Sequence, residues 1–330
     1  MEKILILSPH NPFMRSSGAE NRIYLIMIAM AKNNQIVLIC PAGKTESLHN
    51  ISVYQEFEDK AVCKTININL IIRLVKIIKR EKPDSIQLEF PWQAINLWLI
   101  GQKYNLVEHN VEFIRFKRVK SFLWPLIFLY EMLACKLASK IICVSEKDKE
   151  FLIKYLRCNS SKIEVKENPV DSNIFFYNTS NKEKVREKSG VKKEELFIMF
   201  FGQLNYAPNV EALYNIKNEI IPRLEQSKTK YKIVICGRGE GRGLLKSFEH
   251  KNLLFLGFVE NIQDYINASD VIIAPFNSGS GTRIKILEAL ACHKRVISTA
   301  IGAEGISKNQ LLEIEDDWGN FVKKLVALYH

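Results

Sequence analysis

Residues 3–40 read KILILSPHNPFMRSSGAENRIYLIMIAMAKNNQIVLIC. KILIL is a short apolar run closed by the turn residues of SPHNP. AENRIYLIMIAMAKNN then repeats apolar residues at helical spacing, and QIVLIC is a second apolar run. Strand, helix and strand in that order make one β-α-β unit, in which the strands lie parallel and the helix covers a sheet face. The alternation continues outward with a helix over INLIIRLVKIIKREKPD, strand SIQLEF, a strand end at NLVEHN, helix PLIFLYEMLACKLAS, and strands KIICVS and KIEVKENPV. Between Asp171 and Glu195 the chain turns polar, and NTSNKEKVREKSGVKKEE offers little to bury, so this stretch predicts a connection with a surface helix. A second series follows. Its strands are LFIMFFG, YKIVICG, LLFLGFV, DVIIAPF and RVISTA, and its helices fall at NVEALYNIKNEIIPRL, NIQDYINA and TRIKILEALAC. The predicted fold class is α/β, two Rossmann-like domains facing a central cleft: residues 1–167 for an acceptor and 168–330 for a nucleotide sugar, linked across about 171–195. In such sheets ligands bind beyond the carboxyl ends of the strands, so the loops that follow strands are where chemistry is expected.

Composition bounds what those loops can serve. A chain of 330 residues exceeds what one hydrophobic core usually supports, and 47% hydrophobic with 25% charged residues is the balance of a globular protein. No stretch approaches the roughly 20 uninterrupted apolar residues of a membrane-spanning helix. MEKILILSPH runs into a strand pattern rather than a cleavage site, so a cytoplasmic protein is expected. Seven cysteines (Cys40, Cys63, Cys135, Cys143, Cys158, Cys236 and Cys292) stand singly, without the close pairs of a zinc or redox site, and predict reduced thiols and no metal site. The net charge of +11 is uneven: residues 1–160 hold 23 basic and 15 acidic side chains, the remainder 24 and 21. The first half therefore favours an acidic partner. A nucleic-acid-binding protein is one class such charge allows, but the basic residues are dispersed over helices without a recognised module, so no nucleic-acid partner is expected.

Three stretches carry candidate chemistry. SPHNPFMRSSGAENR has a single glycine, Gly18, ahead of a helix whose amide end could face an anion, and it lacks the G-x-G-x-x-G spacing of a dinucleotide site. NSGSGTRIKILEALA (277–291) sets Gly279, Ser280, Gly281 and Thr282 before a helix with Arg283, Lys285 and Glu288. Small residues there admit phosphate oxygens to free amides, the cations add charge-assisted hydrogen bonds, and Glu288 can accept from ribose hydroxyls; an ordinary turn before a solvated helix is the alternative. RFKRVKSFLWPLIFLYEMLACKLA places Arg115, Lys117, Arg118 and Lys120 before Trp124 and an apolar run, which suits an anionic membrane surface or, equally, a helix buried on its sheet.

GQLNYAPNVEAL, ICGRGEG, LGFVENIQDYINASDVIIAPF, GSGTRIKILEALA and STAIGAEGI, in this order, resemble the donor domain of retaining family 4 (group 1) glycosyltransferases of the GT-B fold, and SGAENR, VEHNVE, ICVSEKD and ENPVD match further segments of that family. The resemblance implies a UDP- or GDP-type nucleotide sugar as substrate, no cofactor, no catalytic metal, and a glycan or lipid-linked acceptor in cell-envelope polysaccharide or glycolipid synthesis. It places Glu288 as the second carboxylate of an E-x7-E motif, with Ser280 where relatives carry the first. It puts Gln203, Asn205 and Tyr206 where many relatives set an Arg and a Lys, leaving Arg283 and Lys285 to supply that charge. Gly202, Gly237 and Arg238 border the donor, and the Phe258 and Val259 backbone meets the base. His109, at a strand end beside Glu108, Asn110 and Glu112, stands near the reacting sugar, so His109 and Glu288 are the candidate catalytic residues. A sugar-nucleotide epimerase of the same architecture would need acids and bases about the sugar, and Ser280 argues against it.

Overall fold

The computed structural model describes residues 1–15, 17–57, 67–239, 248–279 and 281–329. Two compact units divide the chain, Met1–Pro169 and Val170–His330.

In the first unit the strands are β1 (Lys3–Leu7), β2 (Gln35–Pro41), β3 (Ile51–Phe57), β4 (Ser85–Glu89), β5 (Asn105–Glu108), β6 (Lys140–Cys143) and β7 (Ile163–Val165), and the helices are α1 (Gly18–Ala31), α2 (Ile68–Glu81), α3 (Ala94–Leu99), α4 (Glu112–Arg118), α5 (Trp124–Leu137) and α6 (Glu146–Lys154). The strands form one parallel sheet in the order β3-β2-β1-β4-β5-β6-β7. Alternation explains why β1 is apolar from Ile4 onward: Leu5 and Leu7 join the core with Leu70, Leu74, Leu97 and Ala134, whereas Ile4 and Ile6 meet Phe13 and Met27 on the other face. α1 starts at a capping box, with the Ser17 hydroxyl accepting from the Glu20 amide and the Glu20 carboxylate accepting from the Ser17 amide. β3, α3, α4 and α6 were not anticipated. ISVYQEF, at the edge of the sheet, mixes polar with apolar residues without a continuous apolar run or a strict alternation, and the three helices are too short for periodicity to register.

The second unit holds β8 (Leu196–Phe201), β9 (Tyr231–Cys236), β10 (Leu253–Gly257), β11 (Val271–Ala274), β12 (Arg295–Ser298) and β13 (Leu312–Ile314), again parallel, in the order β10-β9-β8-β11-β12-β13. Its helices are α7 (Lys182–Lys188), α8 (Ala207–Asn215), α9 (Ile221–Gln226), α10 (Ile262–Ala268), α11 (Ile284–Ala291) and α12 (Trp318–Val326). The helix expected over NVEALYNIKNEIIPRL is α8, a π-helical turn at Ile216–Ile220 and α9. Pro222 has no amide to donate back to Asn218, and the ladder widens just before it, with the Ile221 amide reaching Ile216. Each sheet grows outward from its first strand, then returns to that strand's other side. The reversals lie between β1 and β4 and between β8 and β11, the switch points where loops diverge and leave a crevice.

Candidate functional site

At the switch point of the second unit, β8 ends at Phe201 and the chain passes Gly202, whose φ is 148°. A Cβ there would come within 2.6 Å of Lys285 Nζ and 3.1 Å of Asn209 Nδ2. Beside it, a Cβ on Gly237 would fall 1.7 Å from the Gly202 carbonyl oxygen, so the loops after β8 and β9 touch backbone to backbone and only glycine fits. The Leu204 amide donates to the Arg238 carbonyl at 2.6 Å, joining the same loops, and Asn205 packs against Gly239. The Arg238 guanidinium lies 3.9 Å above the ring of Phe258, itself 56% exposed, while Val259 leans on the core.

From the other side comes the loop after β11. Phe276 is buried, the Arg283 guanidinium sits 4.9 Å over its ring and donates to the Ser278 carbonyl at 2.9 Å, and the Ser278 hydroxyl is hydrogen-bonded to the Glu211 carboxylate of α8. Gly279 lies against Arg283, Gly281 is buried, and Thr282 Oγ1 reaches the Gly305 carbonyl at 3.4 Å. Ser280 lies outside the described residues, as does Cys63. α11 begins after Arg283, and among the described residues no side chain caps its first amides, which leaves helix N–H groups and their dipole for an anion.

Lys285 points across this crevice. Its Nζ donates to Asn209 Oδ1 at 2.8 Å and lies 4.6 Å from the ring centre of Phe200 and 4.9 Å from that of Phe276. Burial, then the neighbouring Arg283 charge, bring the ammonium pKa down to about 7, against the pull of Glu288. Burial likewise pushes Glu288, one turn along α11, up to about 7, with Lys285 acting the other way. Arg283, Lys285, Glu288, Gly202 and Gly237 are thus brought together, and Asn209 and Glu211 join them unpredicted. Their partners lie 76 and 67 residues away, so no local pattern marks them.

In the first unit, the ends of β4 and β5 hold a buried polar network. His109 Nε2 lies 2.6 Å from Glu89 Oε2, Gln87 Nε2 donates to Glu89 Oε1 at 2.6 Å, and Arg22 Nη1 of α1 lies 3.3 Å from His109 Nδ1. A guanidinium can only donate, so Nδ1 accepts and Nε2 carries the hydrogen toward Glu89. Burial, then the Arg22 charge, lower the His109 pKa to about 4 despite Glu89, which keeps the ring neutral. Burial alone would raise Glu89, but its bond from His109, the charge of Arg22 and the bond from Gln87 outweigh it and hold the carboxyl below its usual value. Phe90, with φ at 67°, stacks on the His109 ring at 4.1 Å, and His10 meets Phe90 edge-on at 5.2 Å. His109 is 7% exposed with both nitrogens engaged. Gly18 opens α1, above this network in sequence and outside its hydrogen bonds.

Arg115, Lys117 and Arg118 occupy the last turn of α4, and Lys120 follows it. Glu112 accepts from Arg115 at 2.5 Å, and Lys117 Nζ lies 5.2 Å over the Trp124 ring. α5 turns its one carboxylate inward: Glu131 is buried and accepts from the Glu112 and Phe113 amides at 2.7 Å each, capping α4 from a neighbouring helix. Its leucines 126, 129, 133 and 137 are exposed at helical spacing, and Phe122 ahead of it is 87% exposed. Among the described residues no helix is long and apolar enough to cross a membrane.

A family model described as "Glycosyltransferase Family 4" matches residues 16–173, and one described as "Glycosyl transferases group 1" matches residues 195–330. The chain is 28% identical to UDP-Gal:alpha-D-GlcNAc-diphosphoundecaprenol alpha-1,3-galactosyltransferase of Escherichia coli, covering 97% of this chain and 87% of that protein. Among solved structures it is similar to sucrose-phosphate synthase from Thermosynechococcus elongatus (TM-score 0.78, 13% identity, 99% of this chain and 90% of that one). It is also similar to HepE of Anabaena in complex with UDP and glucose (TM-score 0.73, 16% identity, 99% and 89%). These two likenesses concern the fold.

Proposed function

The chain belongs to the family 4, group 1 glycosyltransferases of the GT-B fold, and from that premise we propose that it moves a hexose from a UDP-sugar to a lipid-linked acceptor with retention at the anomeric carbon. The observation that carries the donor half of this reading is the switch-point crevice of the second unit. There the uncapped N-terminus of α11, Lys285 and Arg283 offer positive charge to a diphosphate, and Glu288, one turn further on, offers acceptors to ribose hydroxyls. Transfer replaces the bond between the anomeric carbon and the phosphate oxygen by a bond to the acceptor oxygen on the same face. The acceptor proton passes to the departing β-phosphate oxygen, giving glycoside and UDP. Amides and cations fixed before the reaction stabilise the charge that develops on the diphosphate. UDP is favoured because the Escherichia coli relative is named for UDP-galactose and HepE was solved with UDP. A lipid-linked acceptor fits the relative's name and the basic, apolar surface of α4 and α5, which we propose rests on the cytoplasmic face of an anionic membrane.

Thermal shift with UDP, GDP, ADP and CDP, followed by transfer assays with UDP-galactose and UDP-glucose onto a GlcNAc-diphospho-lipid, tests the reading. UDP is expected to raise the melting temperature more than the other nucleotides, since a ligand held only by the folded state stabilises it by mass action. Stabilisation by none of the four would remove the donor assignment, and UDP stabilisation without release of UDP in any transfer assay would remove the acceptor.

A further inference from the structure

Asn209, 5% exposed, is a buried amide in the first turn of α8, where it caps no helix and its backbone is already part of the turn. Both ends of the side chain are engaged. Nδ2 donates to the Gln203 carbonyl at 2.7 Å, and Oδ1 accepts from Lys285 Nζ at 2.8 Å. Neither bond survives a flip of the amide, because an ammonium only donates and a backbone carbonyl only accepts. Lys285 reaches this point on a flexible four-carbon stem whose freedom must be removed if its charge is to act at one place. The faces of Phe200 and Phe276 restrict it on one side, and Gly202 leaves room for it on the other. Asn209 supplies the directional bond, and through Gln203 it anchors that bond to the loop after β8.

We propose that Asn209 is the positioning residue of the phosphate site: it fixes the Lys285 ammonium at the switch point and leaves two of its three N–H donors for the diphosphate of the sugar donor. The proposal rests on the reading that Lys285 faces a diphosphate. The charged groups about the ammonium are Arg283, which disfavours its charge, and Glu288, which favours it; from α8, the Glu211 carboxylate is held by the Ser278 hydroxyl. The Asn209 carbonyl dipole is a further support for the charged form. Removing it, or making it a full negative charge, therefore moves the lysine in opposite directions, a signature that a merely structural asparagine lacks.

The experiment is calorimetric titration of the full chain and its Asn209→Leu, Asn209→Asp and Lys285→Met variants with UDP and with uridine, across about pH 6 to 9. Asn209→Leu is expected to weaken UDP binding about tenfold, the loss of one hydrogen bond to a charged group, and to shift the alkaline decline in UDP affinity to lower pH. Asn209→Asp shifts that decline to higher pH, and uridine affinity stays at the parent value in both. Equal weakening of UDP and uridine, or a pH profile that neither variant moves, overturns the proposal. Should Asn209→Leu fail to fold, the isosteric Asn209→Asp decides alone. Lys285→Met separates the two levels of the argument. If it binds UDP as the parent does, the reading of Lys285 as a phosphate ligand falls; if it loses UDP selectively while the Asn209 variants match the parent, only the role of Asn209 falls.

Discussion

Glu288 illustrates how a binding residue taxes the fold that carries it. Its pKa is raised from 4.5 to about 7, chiefly by burial. A carboxyl shifted in this direction costs nothing below its unfolded value, becomes progressively unfavourable as the pH rises toward its folded value, and remains so above it. Glu288→Gln keeps the shape and removes the charge. In the absence of ligand the variant is expected to melt higher than the parent at about pH 8 and no higher at about pH 4, while binding uridine about tenfold more weakly because one acceptor oxygen replaces two. Scanning calorimetry and titration at both pH values check the pair of effects. A variant less stable than the parent at the alkaline pH would mean that the carboxylate is satisfied in the free protein, contrary to the burial that raises its pKa. At this scale the sequence was informative about Arg283, Lys285 and Glu288, which share one helix start, and silent about Asn209 and Glu211, which reach the crevice only when β8 and β11 become neighbours.

Among elements, the network of Arg22, His109, Glu89 and Gln87 ties α1 to the ends of β4 and β5. His109 is held neutral, its pKa lowered from 6.5 to about 4, so the unfolded chain takes up its proton first and stability from this residue is lost as pH falls from 6.5 toward about 4. Glu89, also lowered, adds to the acid loss in parent and variant alike. His109→Gln can accept from Arg22 and donate to Glu89 without a titrating ring. It is therefore expected to melt lower than the parent at about pH 7, through lost stacking on Phe90, yet to lose less stability across the acid window. Thermal melting of both proteins at half-unit steps across that window gives the comparison, and parallel curves would show that the ring is protonated in the folded state. The strand-end position of His109 was legible from an apolar run ending in a polar cluster. Its two partners were not, because Glu89 and Arg22 lie 20 and 87 residues away, on a different strand and on a helix. Helix α5 was ambiguous in a related way: in PLIFLYEMLACKL apolar residues are spread round the helix, so period alone could not tell which face the sheet takes, and the structure turns Glu131 in and the leucines out.

For the whole molecule the unequal charge and that outward stripe make one prediction. Residues 1–160 carry 23 basic against 15 acidic side chains, and the end of α4 concentrates Arg115, Lys117 and Arg118 next to Lys120 and Trp124. Phe122 ahead of α5 and Leu126, Leu129, Leu133 and Leu137 along it, exposed at 87, 64, 51, 42 and 41%, form an apolar band that a chain in water gains nothing by keeping. Cations at the surface are worth about 1 kcal/mol each against anionic lipid and are screened within roughly 8 Å at physiological salt, whereas apolar side chains that enter the headgroup boundary are indifferent to salt. The two contributions can be separated by co-sedimentation with vesicles of phosphatidylcholine alone and of phosphatidylcholine with phosphatidylglycerol. Binding to the anionic vesicles is expected to exceed binding to neutral ones and to fall as salt is added. Replacing Arg115, Lys117, Arg118 and Lys120 by Ser together should abolish the salt-dependent part. Replacing Leu126, Leu129 and Leu133 by Gln should leave salt-sensitive attraction but lower the residual binding at about 0.5 M salt, where the Debye length has shrunk well below its physiological value. Equal recovery with neutral and anionic vesicles, or indifference to both sets of substitutions, would detach the charge asymmetry from membranes and leave it to serve an acidic acceptor directly.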